Sequence, residues 1–238
     1  MDQSLLHRQV QPAREAQFGR CASLRLVRTW DGVLIARLAT DGGPLELTPE
    51  TCEDLVAAFR RIGRDGRNKV LVLTGAGGGF IAGGDCGDAD GAAAMLRSLA
   101  GVAAPVIAAV EGRAHGLPDI VLAADIVVAG KDAEFRRSRS QTINEAVRRS
   151  WRRRIGTLRA DAFLACPAPL SASRAAAWGL VDEVTPTGAA LARAVELARA
   201  YLAVPERLRR RLRAEAAQSM IDALAPTEPL VESADLAA

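Results

Sequence analysis

Apolar positions follow two rhythms along this chain. One is the short unbroken run: Lys69 to Thr74 (KVLVLT), Pro105 to Val110 (PVIAAV) and Asp125 to Ala129 (DIVVA) each read as a strand buried on both faces. The other is the longer stretch with helical spacing. Ser23 to Thr29 and Val33 to Ala39 have strand composition, and Trp30-Asp31-Gly32 between them predicts a hairpin turn. Thr48 then caps a helix that opens on Pro49, carries Glu50 and Glu53 near its positive end and runs to about Arg64. A glycine-rich loop spans Gly75 to Gly84, a helix covers Ala89 to Val102, and an apolar segment Ile120 to Ala124 follows Glu111-Gly112. From Ser140 the pattern turns helical. Ser171 caps a helix that Gly179 ends, Leu180 to Val184 is a short strand, and Thr187 to Ala203 is a helix. Pro205 restarts the chain into a basic helix to about Leu224, and the tail after Pro226 is expected to fray. Strands alternating with helices predict stacked β-α units with right-handed crossovers, an α/β fold.

Composition changes this picture little. The 238 residues suit one large domain, and 49% hydrophobic residues with only 4% aromatics imply a core packed by aliphatic side chains and alanine. A net charge of +3 is too weak to imply a nucleic-acid partner, and the basic residues are nearly all arginine, Lys69 and Lys131 being the only lysines. Cys21, Cys52, Cys86 and Cys166 lack metal-ligand or redox-motif spacing, so reduced thiols are expected. No apolar run is long enough to cross a bilayer, and the polar, charged start of the chain does not read as a signal peptide, so a cytoplasmic location is expected.

Three segments carry a resemblance. LVLTGAGGGFIAGGD (Leu71 to Asp85), APVIAAVEGRAHGLPDIVLAADIVVAGKDAEF (Ala104 to Phe135) and ADAFLACPAPLSASRAAAWGLVDEV (Ala160 to Val184) resemble, in order, the signatures of the crotonase superfamily of enoyl-CoA hydratases and isomerases. The segments LATDGGPLELT and RNKVLVLTG, with the loop ending Pro118-Asp119-Ile120, look like the oxocamphor hydrolase branch, which cleaves carbon–carbon bonds of cyclic β-diketones. The resemblance implies a crotonase-type ββα superhelix over residues 23–186, preceded by a flexible arm at 1–22 and followed by a C-terminal helical region, 187–238, that assembles trimers or hexamers.

It also implies a chemistry. Backbone amides of Gly84 and of Gly116 or Leu117 are expected to form an oxyanion hole for a developing enolate, at the start of a helix. Asp119 stands where hydratases carry a catalytic glutamate; it reads equally as a general acid or base and as a helix-start aspartate bonded to backbone amides. The second hydratase glutamate falls at Arg139, which cannot act as a base; Glu145 is the substitute if the helix is shifted, or else an exposed helix residue. His115 is a proton-transfer candidate by position and a packing histidine otherwise, since the loop histidine of the hydrolase branch matches Leu117. Asp85 is expected to steady its loop, and Cys86 has no evident activating base. The arginines at 136, 137, 139, 148, 149 and 152–154 read as a solvated face or subunit contact, as a holder of coenzyme A phosphates, or as an RNA-binding surface.

The expectation is therefore an enzyme that stabilises an enolate and acts as an enoyl-CoA hydratase/isomerase-like protein or a retro-Claisen hydrolase. It needs no cofactor or metal, and its substrate is an acyl-CoA thioester or a cyclic β-dicarbonyl. The alternatives are a non-catalytic crotonase-fold scaffold and an RNA-binding protein.

Overall fold

The computed structural model describes residues 21–138, 145–166 and 168–224. Residues 1–20 of the expected arm, Arg139 and the tail beyond Pro226 lie outside the described residues.

The predicted hairpin forms as β1 (Leu24–Arg28) and β2 (Val33–Leu38), antiparallel with Leu24 opposite Leu38. The apolar runs follow as β4 (Val70–Thr74), β6 (Val106–Val110) and β8 (Ile126–Gly130), and β11 (Glu183–Thr185) completes a six-stranded sheet ordered β1-β2-β4-β6-β8-β11. Beyond the hairpin all its pairings are parallel. Its strands read as unbroken apolar runs because both faces are covered. Leu34, Leu71, Leu73, Val106 and Val110 enter the main core. Val33, Val70, Val72, Ile107 and Val128 turn the other way, against Ala190, Ala194, Val195 and Ala198 of α6 (Ala190–Leu202). Alanine on that helix lets it lie close to the branched side chains, and each fully buried Leu or Val contributes about 1.5–3 kcal/mol. One device recurs along the superhelix. Asp125 exchanges two bonds with Val106, amide to carbonyl at 2.8 Å and carboxylate from amide at 2.7 Å. Asp182 does the same to Val127, at 2.9 and 2.7 Å.

α1 (Pro49–Arg64) begins where its cap predicts: Thr48 and Thr51 close a reciprocal capping box. α2 (Ala89–Ala100) packs on it, with Asp88 as the cap. The helical stretch after Ser140 is broken in two within the described residues, α3 (Glu145–Ile155) and α4 (Thr157–Ala165), with Gly156 at φ 84° between them. α5 (Ala172–Trp178) is capped by Ser171 and stopped by left-handed Gly179, as expected. α7 (Glu206–Ala223) closes the described chain.

A second sheet forms that the pattern of apolar runs does not predict. β3 (Leu45–Leu47), β5 (Ile81–Gly84), β7 (Arg113–Gly116), β9 (Glu134–Arg137) and β10 (Leu170–Ser171) pair in the order β10-β9-β7-β5-β3. The end of the expected glycine loop is thus strand β5. The expected helix after Gly116 is a six-residue 3-10 helix, Pro118–Ala123. Leu45, Leu47, Ile81, Ala114, Phe135 and Leu170 point inward to the core, while Glu46, Arg113, Glu134 and Arg136 alternate outward.

The cysteine expectation is corrected. Cys52, in the first turns of α1, is disulfide-bonded to Cys86, just past β5. The parallel pairing of β3 with β5 carries α1 back over the exit of β5, and a separation of 34 residues leaves no local signature of that meeting. Cys21 and Cys166 are free.

Candidate functional site

The glycine loops meet. β5 ends on Gly84 at φ +86°, where a Cβ would fall 2.1 Å from the carbonyl oxygen of Leu47. β7 ends on Gly116 at φ +87°, where a Cβ would fall 2.6 Å from the Gly84 oxygen and 2.9 Å from the Gly83 carbonyl carbon. Only glycine fits either position. Two peptide segments from neighbouring parallel strands thereby run in backbone contact at the same end of the sheet. The Gly116 carbonyl is taken by the Ser138 amide at 3.0 Å, which fixes the orientation of that peptide plane. Leu117, the next residue, is fully buried and packs in the core.

Asp119 lies three residues past Gly116, in the first turn of the 3-10 helix, with no exposed surface. It does not cap that helix. Its Oδ1 accepts from two side chains, the Arg137 guanidinium of β9 and the Trp151 indole N–H of α3. Among the described residues, Oδ2 is buried and has no partner. The carboxylate is therefore charge-balanced and clamped by one oxygen, with the other open, in surroundings where an unmet acceptor costs about 1–3 kcal/mol. Arg137 and Trp151 were not singled out by role in the sequence. Arg137 stood in a run of arginines, and no spacing rule links a strand arginine to a helix tryptophan.

His115 stands elsewhere. It is opposite Arg136 in the β7–β9 register, whereas Gly116 is opposite Arg137. Side chains alternate along a strand, so His115 shares the outer face with Arg136 (Nδ1 to Nη2, 3.4 Å) and Glu134 (3.8 Å), while Arg137 reaches inward to Asp119. Burial first, and the Arg136 charge second, hold the His115 imidazole below its ordinary value. The structure thus brings Gly84 and Gly116 together, ties Asp119, three residues on, to the arginine that lies opposite Gly116, and sets His115 on the opposite face.

Asp85 accepts from the Gly87 amide at 3.0 Å and so folds the loop back on itself. Glu145 opens α3 at the surface, between Arg148 and Arg152 at 3.9 and 3.8 Å. Cys86 is committed to its disulfide, and burial with the nearby Asp54 carboxylate pushes the Cys21 thiol up to about 11. The arginine stretch is dispersed. Arg149 donates to the Ala223 carbonyl, Arg152 pairs with Asp161 at 3.0 Å and Arg154 with Asp182 at 2.9 Å. Arg153 and Arg154, with Arg209, Arg213 and Met220, line a 480 Å³ cavity between α3 and α7. Arg213 there is already occupied by Asp125 and the carbonyls of Leu99, Ala100, Val102 and Ala123. No group of three or more His, Cys, Asp or Glu among the described residues has the arrangement of a metal site, and no helix among them is long and apolar enough to cross a membrane.

Comparison with known proteins adds to this geometry. The chain is 35% identical to the enoyl-CoA hydratase EchA19 of Mycobacterium tuberculosis over 178 aligned positions, 66% of this chain and 66% of that protein. It is 32% identical to a probable enoyl-CoA hydratase of Rhodobacter capsulatus over 151 positions, 56% of this chain and 57% of the relative. The chain thus spans less than two thirds of the length of these curated relatives. Among solved structures, ABDH, a β-diketone hydrolase from the cyanobacterium Anabaena sp. bound to (S)-3-oxocyclohexyl acetic acid, superposes with a TM-score of 0.79 at 27% identity, covering 85% of this chain and 88% of that one. The profile of the enoyl-CoA hydratase/isomerase family matches residues 46–228, a span that holds both glycine loops, Asp119, Arg137 and Trp151. The chain belongs to the enoyl-CoA hydratase/isomerase family, the crotonase superfamily, with the mixed α/β fold of its members.

Proposed function

We propose that this protein is a one-carboxylate enolate enzyme. The amides of Gly84 and Gly116 receive the carbonyl oxygen of an acyl-CoA thioester or a cyclic β-dicarbonyl, and Asp119 moves the proton. The observation that carries this reading is the buried Asp119 carboxylate, clamped through Oδ1 and unpartnered at Oδ2, three residues after the glycine that touches the Gly84 strand. Two amides aimed at a developing oxyanion are worth several kcal/mol of barrier. A positioned base contributes about 10²–10⁴-fold. Asp119 can remove an α-proton and return it elsewhere on the same enolate, which is isomerisation. It can equally deprotonate a water that adds to a β-dicarbonyl carbonyl, after which the carbon–carbon bond breaks to an enolate that is reprotonated. Two-carboxylate hydration is not the reading favoured: Glu145 lies at the surface near Arg148 and Arg152, and the family position for the second acid is Arg139 in the sequence.

No resident cofactor or metal enters this reading, coenzyme A being part of the substrate. Leu208 and Leu212, exposed on α7, support self-association as a trimer or hexamer through the C-terminal helices. The cytoplasmic location in this reading rests on the sequence alone, and the Cys52–Cys86 bond runs against it, because disulfides persist mainly in oxidising compartments. An RNA-binding role is disfavoured because Arg149, Arg152 and Arg154 are engaged within the fold.

The test is turnover of a panel of 2- and 3-enoyl-CoA esters and cyclic β-diketones, followed by mass spectrometry. The wild-type protein is expected to convert one class, and Asp119→Asn to lose about 10²-fold or more of that rate. A wild type inactive on both classes, which is what the scaffold reading expects, or an Asp119→Asn variant of undiminished activity, overturns the proposal.

A further inference from the structure

The clamp on Asp119 has no counterpart in the roles that the family resemblance assigned, and it deepens the proposed function, on which it rests. Arg137 and Trp151 come from different elements, β9 and α3, yet both donate to the same carboxylate oxygen. Neither donor is loosely held. Arg137 lies opposite Gly116 in the parallel register, and its side chain is nearly buried. Trp151 is the largest fully buried side chain described, and its ring sits 4.7 Å from that of Phe163 on α4. A carboxylate with both donors on Oδ1 has its rotation about the Cβ–Cγ bond fixed, so the direction of the Oδ2 lone pairs is fixed too. Oδ2 remains buried without a partner. A purely structural ion pair is better satisfied by a bidentate arrangement, one donor on each oxygen. Leaving one oxygen bare in the interior is costly unless something else comes to meet it.

We propose that Arg137 and Trp151 are positioning residues: together they hold Asp119 by Oδ1 so that Oδ2 is the atom that takes and returns the substrate's proton. With an enoyl-CoA ester the α-carbon–hydrogen bond breaks, its electron pair passes into the enolate and the proton bonds Oδ2, to return at the product carbon. With a cyclic β-diketone the proton comes from the attacking water, whose oxygen bonds the carbonyl carbon, and Oδ2 returns it to the enolate carbon once the carbon–carbon bond has broken. The Arg137 charge balances the ionised carboxylate before the step. The Trp151 indole contributes direction without charge.

The experiment uses the full-length protein and whichever panel class, enoyl-CoA ester or cyclic β-diketone, the wild type converts. Trp151→Phe keeps an aromatic ring but loses the N–H, and is expected to lower kcat about 10²-fold while KM stays within about threefold, because a misaimed base affects the transition state rather than binding. Arg137→Met is expected to do the same, and Arg137→Lys to restore at least about a tenth of the wild-type rate. A wild-type enzyme whose kcat survives Trp151→Phe and Arg137→Met overturns this proposal while leaving the proposed function standing. A wild type that converts neither class overturns both. Should the variants fail to fold, the indole resonances of Trp30, Trp151 and Trp178 in ¹⁵N-labelled protein decide: Asp119→Asn must move the buried Trp151 signal, and an unmoved signal overturns the clamp.

Discussion

The two sheets solve different problems with different residues. The six-stranded sheet is buried on both faces, with leucine, valine and isoleucine toward the main core and toward α6. It contributes stability and no candidate chemistry. The five-stranded sheet has short strands, one charged face and glycine at the strand ends that meet. It contributes less apolar burial, yet it positions Gly84, Gly116 and the arginine that clamps Asp119. The comparison teaches a division of labour: an apolar scaffold buried on both faces holds a thinner sheet whose backbone, on the proposed function, is the working surface.

The comparison breaks first if the scaffold proves soft. Leu71→Ala removes a fully buried side chain from the centre of the six-stranded sheet and is expected to cost about 2–5 kcal/mol. Denaturant unfolding checks this, and a loss below 1 kcal/mol, an ordinary surface effect by scale, would contradict the ranking. The second sheet is expected to depend instead on a covalent tie. Closing a loop over a separation of 34 residues stabilises by about 3–4 kcal/mol in the chain-entropy account. Reduction of Cys52–Cys86 by excess dithiothreitol, or a Cys52→Ser/Cys86→Ser variant, is therefore expected to lower stability by an amount approaching this. It should also speed hydrogen exchange around Gly83–Gly87 more than in β4 and β6. Uniform acceleration across both sheets would contradict the separation.

The smallest effect is electrostatic and belongs to the outer face. The folded His115 imidazole is held below its ordinary 6.5 by burial and by Arg136, so the unfolded chain binds the extra proton first as pH falls. Stability from this group is full above about 6.5 and is lost as pH drops from there toward the folded value. His115→Gln is expected to flatten the pH dependence of the melting temperature in that window. A wild-type midpoint that rises on acidification there would contradict it.

Legibility in the sequence divides along the same line. The first sheet, its helices and their caps were readable because burial on both faces writes an unbroken apolar run, and because Thr48, Ser171 and Gly179 write local capping signals. The second sheet was not. β7 reads RAHG and β9 reads EFRR, too short and too polar for strand periodicity, and β5 hides as the end of a glycine loop. The glycine pair and Asp119 were reached through family resemblance rather than through periodicity. That His115 and Asp119 face apart, and that Arg137 rather than Arg136 turns inward, follows from a one-residue register that only the paired strands reveal.

The central claim is that the meeting point of the two glycine strands binds an oxyanion. It is tested most directly by the ultraviolet difference spectrum of acetoacetyl-CoA and of cyclohexane-1,3-dione, each in buffer acidic enough to leave it mostly un-ionised and added to wild type and to a folded Gly116→Ala variant. In that variant the new Cβ would press on the Gly84 carbonyl at 2.6 Å. The account predicts that the wild type raises the enolate band of one of these probes above its level in buffer and that Gly116→Ala abolishes the rise. An enolate band unchanged by the wild type, or raised equally by the variant, would contradict it.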